Sequence, residues 1–390
     1  MIPYGRQNVT TDDIDSVNAV LRSDFLTQGP MVPRFELEVA KRCSATYGVA
    51  TSSATAALHV ACLALGVGSG DRVWTSAITF VASANCAVYC GASVDFIDID
   101  PKTYNMSTDH LEHKLAVASK QGLLPKVVIP VHLAGQSSDM ATINALSKQY
   151  GFRVIEDASH ALGATYLGKP VGSCQFSDIT VFSFHPVKII TTGEGGIATT
   201  NDESLVKKMA LYRSHGITRD HEQMRDIPHG RWYYEQIELG FNYRLTDIAA
   251  GLGISQLSRL DDILSTRDTL ARNYDSLLRE YPVETPWRRP DCFSANHLYI
   301  IRPDLRALNT SHAELFERLN SRSITANLHY IPVYRHPFYS VQGFPRTDYP
   351  NAEAYYANAM SIPLYPGLAV EQQSQVVEAL ITPRGHQTFF

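Results

Sequence analysis

The residues best suited to chemistry in this sequence are an aspartate and a lysine, each placed after a β-rich run. Asp157 ends the run FRVIED, and Lys188 lies between the run ITVFSF and the glycine-rich segment TTGEGG. A carboxylate at the end of a buried strand needs a partner that offsets its lost hydration, and a cationic heterocycle would supply one. A lysine with a lowered pKa can attack a carbonyl and then carry a proton. The pair therefore favours chemistry with pyridoxal 5′-phosphate (PLP), whose pyridine ring withdraws electrons strongly when it is protonated.

A third element could bind a phosphate. The run VATSS leads into the helical segment SATAALHVACLAL, so Ser53, Ala54 and Thr55 would present backbone N–H groups and hydroxyls at a helix N-terminus. The helix dipole favours an anion at that position. Taken alone, a Ser or Thr there is more often a simple helix cap, and a single loop lysine is more often a solvated cation. The three elements indicate a site only in combination.

The elements that must position these residues follow an α/β pattern. From about residue 49 to residue 200, short β-rich runs alternate with helical stretches, and runs such as VVIPV are apolar at consecutive positions, as in strands covered on both faces. We predict a mostly parallel seven-stranded sheet with the site beyond the carboxyl ends of its strands. The runs are Val49 to Ser52, Arg72 to Ser76, Val94 to Ile97, Lys126 to His132, Arg153 to Glu156, Asp178 to Phe184 and Gly196 to Thr200.

The pattern changes after Asp247, where one long helical stretch extends from IAAGLG to LLREY and a proline-containing turn follows. The remainder predicts a strand around His297 to Ile301, a helix around His312 to Arg322 and a final helix after Gly367. We therefore predict a large domain over residues 1–250 and a small C-terminal α+β domain over residues 251–390.

Composition and charge exclude several classes of function. The chain has 390 residues, of which 44% are hydrophobic, and its net charge of −5 comes with no basic cluster, so nucleic acid is not a predicted partner. The sequence shows neither a signal-peptide pattern nor an apolar run of membrane-spanning length, and we predict a cytoplasmic protein without membrane contact. The six cysteines lack zinc-site spacing. No metal site is predicted.

Eight segments, in order along nearly the whole chain, resemble the nucleotide-sugar aminotransferases of the DegT/DnrJ/StrS family. The resemblance implies the type I fold of PLP-dependent transferases, which is aspartate aminotransferase-like, with PLP as cofactor. It also implies a homodimer with active sites shared between its subunits. The segments are SSATAALHVACLALG, TSAITFVASANCAVYCGASVDFIDID, VIPVHLAGQSSDM, VIEDASHALGA, FSFHPVKIITTGEGGIATTND, GFNYRLTDIAAGLGISQL, LHYIPVY and SIPLYPGL.

The same resemblance implies roles for single residues. Lys188 would carry PLP as a Schiff base and act as general base, and Asp157 would pair with the pyridine nitrogen. His160, at a position where many members have Gln, would lie near the ring hydroxyl as the third catalytic residue. Phe80 would stack on the ring. The phosphate would be held by Ser53, Ala54, Thr55 and Ser183, and by Asn242 of the partner subunit.

Within the family, the segments HPVKIITTGEGG, HLAGQSSDM and DFLTQG resemble most the members that act in pseudaminic acid biosynthesis. These transfer an amino group, here predicted to come from L-glutamate, to C4 of a UDP-linked 4-keto-6-deoxy-N-acetylhexosamine. Substrate contacts implied by this subgroup are Tyr4, the stretch Asp24, Phe25, Leu26 and Thr27, and the stretch Leu328, His329, Tyr330 and Ile331.

Three alternatives stay open at this point. The chain could aminate C3 or C4 of a different nucleotide-linked keto-sugar. It could be a PLP-dependent sugar dehydratase or a regulator on the same scaffold, although Lys188 argues against a dehydratase, because the related dehydratases have His at that position. Finally, it could be a non-catalytic protein that binds PLP or a nucleotide phosphate, a function that would leave Asp157 and Lys188 unexplained.

Overall fold

Seven of the fifteen strands in the described residues form one large sheet, and the others form small sheets of two or three strands. The computed structural model describes residues 1–382. The strands are β1 (Tyr47–Thr51), β2 (Arg72–Ser76), β3 (Ser93–Ile97), β4 (Val127–Ile129), β5 (Arg153–Asp157), β6 (Thr165–Tyr166), β7 (Lys169–Pro170), β8 (Ile179–Ser183), β9 (Gly196–Thr200), β10 (Ile217–Thr218), β11 (Glu235–Gln236), β12 (Val283–Glu284), β13 (Cys292–Phe293), β14 (Tyr299–Pro303) and β15 (Met360–Ile362).

The large sheet has seven strands in the order β1-β9-β8-β5-β4-β2-β3. The pairs β2–β3, β2–β4, β4–β5 and β5–β8 are parallel, whereas β9 is antiparallel to both β1 and β8. Six strands therefore share one direction, and β1, β5 and β8 end at the same edge. The prediction of a mostly parallel seven-stranded sheet is confirmed.

Helices cover both faces of this sheet. Helix α3 packs on β1, β8 and β9 and against α4 and α7. In residues 1–382, no helix has the length and apolar character that crossing a membrane requires. The helices are α1 (Thr11–Leu21), α2 (Met31–Cys43), α3 (Ala54–Ala64), α4 (Ala82–Tyr89), α5 (Thr108–Gln121), α6 (Met140–Tyr150), α7 (Glu203–Arg213), α8 (Asp247–Ser258), α9 (Leu260–Leu278), α10 (His312–Ser321), α11 (Pro337–Ser340), α12 (Pro350–Asn358) and α13 (Val370–Ile381).

The single long helix predicted after Asp247 is two helices, because the helical backbone is interrupted at Arg259. Helix α8 packs on α1 and α2, so residue 250, the predicted domain boundary, falls inside a helix that contacts the N-terminal part of the chain. A separate apolar cluster forms around Tyr274, Leu315 and Val376. The division into two domains remains a prediction.

Candidate active site

The edge of the sheet where β1, β5 and β8 end opens into a cavity of about 760 Å³. Binding sites for cofactors and small substrates commonly have volumes of a few hundred to about 1,000 Å³. The wall contains the three predicted catalytic residues and most of the other predicted contacts. The predicted residues in the wall are Tyr4, Ser53, Ala54, Thr55, Phe80, Asp157, His160, Ser183, Lys188, Leu328, His329 and Tyr330.

Asp157 is the last residue of β5, and its side chain is buried in the cavity wall. Its carboxylate oxygens accept two hydrogen bonds, from the hydroxyl of Ser83 at 2.6 Å and from the backbone N–H of Ser159 at 3.1 Å. These two hydrogen bonds fix the orientation of the carboxylate. The strand end thus presents a positioned carboxylate to a ligand in the cavity.

Lys188 lies in the loop that connects β8 to β9. The loop is held by backbone hydrogen bonds, among them one from the N–H of Lys188 to the carbonyl of His185 at 2.9 Å. Burial lowers the pKa of Lys188 to about 8, and the charge of Asp157 opposes this shift. Near neutral pH a fraction of roughly a tenth of the amine is uncharged. An uncharged amine is the form that attacks a carbonyl or accepts a proton.

The start of α3 forms the third part of the site. Ser53 caps the helix, because its hydroxyl accepts the N–H of Ala56 at 3.1 Å. Gly196, the first residue of β9, lies directly against the start of α3. A Cβ atom at Gly196 would be 2.4 Å from the backbone nitrogen of Ala54. Gly196 is also the register partner of Ser183. The close approach of β9 therefore brings the Ser183 hydroxyl towards a helix N-terminus, a favourable place for a phosphate.

His160 is buried and is hydrogen-bonded at both ring nitrogens. The backbone N–H of Ala134 donates to Nδ1 at 3.2 Å, so in the neutral ring the proton resides on Nε2. Burial, assisted by the charge of Lys188, holds the pKa of His160 well below its usual range and keeps the ring neutral. Nε2–H must then donate to the Tyr330 hydroxyl, 3.1 Å away. The hydrogen of Tyr330 is consequently available to another acceptor.

Residues 7–381 match the model of the DegT/DnrJ/EryC1/StrS aminotransferase family. This chain belongs to that family. It is 37% identical over 382 residues to the Bacillus subtilis spore coat polysaccharide biosynthesis protein SpsC, covering 97% of this chain and 96% of the relative. It is 36% identical over 385 residues to the UDP-4-amino-4,6-dideoxy-N-acetyl-beta-L-altrosamine transaminase of Campylobacter jejuni, covering 98% of this chain and 97% of the relative.

Solved structures of family members have the same fold. Streptococcus pneumoniae Spr1654, assigned as a sugar aminotransferase and solved in its PMP form, superposes with a TM-score of 0.88 at 31% identity over 98% of both chains. Helicobacter pylori PseC, an aminotransferase of pseudaminic acid biosynthesis, gives 0.87 at 30% identity, covering 97% of this chain and 98% of PseC. The type I fold, the PLP cofactor and the assignment as a PLP-dependent nucleotide-sugar aminotransferase are confirmed at the level of the family.

The cavity of this family member fits PLP at three separate points. The buried carboxylate of Asp157 suits a protonated ring nitrogen, because its two hydrogen bonds fix its position in the cavity wall. Lys188 supplies an amine with a lowered pKa. The start of α3, with Ser183 beside it, supplies donors for a phosphate. The ring nitrogen, the carbonyl and the phosphate of the cofactor thus each have a complementary group in the cavity wall.

Six of the residues predicted for this aminotransferase do not line the cavity within one subunit: Asn242, Asp24, Phe25, Leu26, Thr27 and Ile331. Asn242 is exposed, and the next carbonyl, of Tyr243, accepts the N–H of Ser52 at 2.7 Å. Thr27 forms a backbone bridge with Thr246, so the stretch 24–27 lies beside the segment that carries Asn242. Both face outwards close to the start of α3, and their predicted contacts remain predictions.

Sequence reasoning missed several residues of the site, among them Thr79, Ser83 and His297. Thr79 and His297 line the cavity, and Ser83 is bonded to Asp157. The ring of His297 lies 4.5 Å from that of His160, and its Nδ1 has no hydrogen-bond partner among the described residues. The available signal was weak, because a histidine in the apolar run ANHLYII and hydroxyls at a helix start are equally typical of structural positions.

Proposed function

We propose that this protein transfers an amino group from L-glutamate to C4 of a UDP-linked 4-keto-6-deoxy-N-acetylhexosamine, a step of pseudaminic acid biosynthesis. The observation that carries the proposal is a cavity lined by Lys188, Asp157 and the start of α3, whose free N–H groups suit an anion. Similarity to the Campylobacter jejuni transaminase and to Helicobacter pylori PseC supports the choice of sugar and carbon.

The cofactor would be held by residues of the cavity wall that bind its ring nitrogen, its carbonyl and its phosphate. When bound, PLP supplies a carbonyl that takes up the amino group and a ring that withdraws electrons. Asp157 would bind the ring nitrogen and keep a proton on it. Lys188 would attach the cofactor covalently and, once released, move the proton between the substrate carbon and the cofactor in both half-reactions. The phosphate would be bound by Ser53, Ala54, Thr55 and Ser183.

Phe80 and His160 would complete the cofactor site. Phe80 is 57% exposed at the cavity wall, with its ring 6.0 Å from that of Tyr330, and a ligand ring could cover this exposed face by stacking. His160 would lie near the ring hydroxyl. Because Nε2 carries its single proton, His160 can donate to an oxygen of the cofactor only by giving up its bond to Tyr330.

The sugar would bind against Tyr4 and the segment Leu328–Tyr330, which line the cavity. The rings of Tyr4 and His329 are 5.3 Å apart. Burial raises the pKa of Tyr4 and of Tyr330, so both phenols remain neutral donors at physiological pH. Burial also lowers the pKa of His329 to about 3. The sugar would therefore meet neutral hydrogen-bonding groups, with Ile331 and the stretch Asp24–Thr27 as outer contacts.

We also propose a homodimer in which Asn242 of the partner subunit contacts the phosphate. The support is that Asn242 is exposed, belongs to a segment of the chain close to the start of α3, and does not line the cavity of its own subunit. The cytoplasm remains the predicted location.

The test is a panel of UDP- and dTDP-linked 3-keto- and 4-keto-sugars offered with L-glutamate to the PLP-loaded enzyme. Mass spectrometry detects the exchange of oxygen for nitrogen, and NMR identifies the aminated carbon. Amination of the UDP-linked 4-keto-6-deoxy-N-acetylhexosamine with the highest kcat/KM supports the proposal. A second candidate is another keto-sugar, favoured by the comparable identity to the spore coat protein SpsC. A clear preference for any other sugar would replace the first candidate with the second.

A further inference from the structure

Thr79, Ser83 and Asp157 form a buried chain of hydrogen bonds beside the cavity. All three side chains are at most 4% exposed. The hydroxyl oxygens of Thr79 and Ser83 are 2.8 Å apart, and the Ser83 hydroxyl is 2.6 Å from Oδ2 of Asp157. Ser83 belongs to the first turn of α4, whereas Asp157 ends β5, so the chain connects a helix to a strand that is distant in sequence.

The direction of these hydrogen bonds follows from the charge of Asp157. An ionised carboxylate has no hydrogen, so Ser83 must donate to Asp157. A serine hydroxyl has a single hydrogen, and therefore Thr79 must donate to Ser83. Hydrogen bonds in series polarise one another and strengthen the last bond, which here ends on a charge. Thr79 lines the cavity, so the chain begins at its wall and ends at the carboxylate.

Both ends of the Ser83–Asp157 bond are held rigidly by the backbone. The N–H of Ser83 donates to the carbonyl of Phe80 at 3.2 Å, and its carbonyl accepts the thiol of Cys86 at 3.3 Å. The N–H of Asp157 donates to the carbonyl of Pro130 at 2.9 Å. The carboxylate therefore has one preferred orientation, set by Ser83 on one oxygen and by Ser159 on the other.

We propose that Ser83, supported by Thr79, is a positioning residue that keeps the Asp157 carboxylate aimed at the cofactor ring. This inference rests on the proposed role of Asp157 against the ring nitrogen. A negative charge close to the ring nitrogen favours the protonated ring. If the Ser83 donor is lost, the carboxylate can turn away from the ring, and the protonated ring loses this stabilisation. The ring then withdraws electrons less strongly.

The experiment measures the proton on the ring directly. Apoenzyme variants are reconstituted with ring-¹⁵N-labelled PLP, and the ¹⁵N chemical shift is followed from pH 6 to 9 together with kcat and KM. We expect Ser83→Ala to move the ¹⁵N shift towards the unprotonated ring and to lower kcat by roughly tenfold to a hundredfold, the range expected for one hydrogen bond to a charge, with KM nearly unchanged. Ser83→Thr keeps a hydroxyl and should restore both readouts.

Two further variants separate positioning from general damage. Ser76→Ala makes the same change at an equally buried serine whose hydroxyl has no hydrogen-bond partner among the described residues, and it should leave the ¹⁵N shift and kcat at wild-type values. Thr79→Val removes the donor to Ser83 at nearly constant volume and should shift the ¹⁵N signal in the same direction by a smaller amount. It serves as the test if Ser83→Ala does not fold.

The outcomes distinguish this inference from the role of Asp157 itself. Asp157→Asn should move the ¹⁵N shift to the unprotonated ring. If it does so while both Ser83→Ala and Thr79→Val keep the wild-type shift, the inference about Ser83 is wrong and the role of Asp157 stands. If Asp157→Asn leaves the ring protonated, the proposed role of Asp157 fails, and the inference fails with it.

Discussion

Substitution of Gly196 by alanine tests whether the start of α3 is the cofactor's phosphate site. An added Cβ would lie 2.4 Å from the Ala54 nitrogen, 2.6 Å from the Ala54 Cα and 2.6 Å from the Ser53 carbonyl carbon, whereas ordinary contact begins at 3.4 Å. All three atoms are backbone, so no side chain can rotate away. The helix start must retreat from β9 by about 1 Å, which is the difference between 3.4 and 2.4 Å.

The magnitude follows from that displacement. Overpacking of this kind costs roughly 1–3 kcal/mol, and each 1.4 kcal/mol is about a tenfold change in a binding constant. If the strain is relieved by moving Ser53 and Ala54 away from Ser183, the Kd of PLP should rise by roughly tenfold to a hundredfold. Strain that is not relieved should appear as a lower Tm of the apoenzyme.

The assay is fluorescence titration of apoenzyme with PLP, combined with thermal unfolding of the same samples. Gly68→Ala is the matched control, because a Cβ atom at Gly68 meets nothing within 4 Å, and both of its readouts should equal those of the wild type. A Gly196→Ala variant with wild-type Kd and wild-type Tm would falsify the close approach of β9. An unchanged Kd with a lowered Tm would place the phosphate elsewhere.

Three further predictions concern Lys188 and Asn242. Lys188→Ala should abolish turnover, and borohydride reduction followed by peptide mapping of the wild type should place the pyridoxyl group on Lys188; a label on another lysine refutes the assignment. Burial lowers the pKa of Lys188 from 10.5 to about 8, so between pH 8 and pH 10.5 the unfolded chain binds more protons than the folded apoenzyme. The contribution of Lys188 to the free energy of unfolding of the apoenzyme should therefore increase as the pH rises through this range. Lys188→Met should lack this contribution in urea titrations, and equal pH profiles would contradict the shift. Mixing Lys188→Ala with an Asn242→Ala variant of low PLP affinity should restore about a quarter of wild-type activity, because half of freely exchanged dimers are mixed and each has one native site; no recovery despite proven exchange refutes the shared site.

The strands and their catalytic ends were predictable because they depend on local sequence. Arg72–Ser76 and Gly196–Thr200 have the predicted bounds, and Asp157 ends its strand as predicted. The run Lys126 to His132 was predicted too long, and the strand ends at Ile129, just before Pro130. The reversed direction of β9 was not predictable, because its buried residues GIATT fit either a parallel or an antiparallel neighbour.

The prediction of one continuous helix after Asp247 was wrong for a different reason. The stretch after Asp247 retains a helical pattern through Arg259, yet the helix is interrupted there. Arg259 donates to the carboxylate of Asp13, 2.7 Å away, and to the carbonyl and side chain of Asn8. The buried Asp13 also accepts hydrogen bonds from Ser255 and Gln256. Contacts with residues near the start of the chain therefore accompany the break, and no window of neighbouring residues contains them.

The residues proposed to contact the cofactor could be recognised from the sequence, whereas the residue proposed to orient Asp157 could not. Asp157 could be recognised because a charged side chain at a buried strand end costs free energy unless it has a function or a partner. Lys188 could be recognised only together with Asp157, because it follows the next strand in a glycine-rich loop. Ser83 has no such cost, since a serine in the first turn of a helix is common in any protein. Its importance depends on the 2.6 Å contact with Asp157, which exists only after α4 has packed beside β5. Sequence patterns identify groups that are expensive to bury, whereas the neutral groups that stabilise and orient them become visible only through their distances in the folded chain.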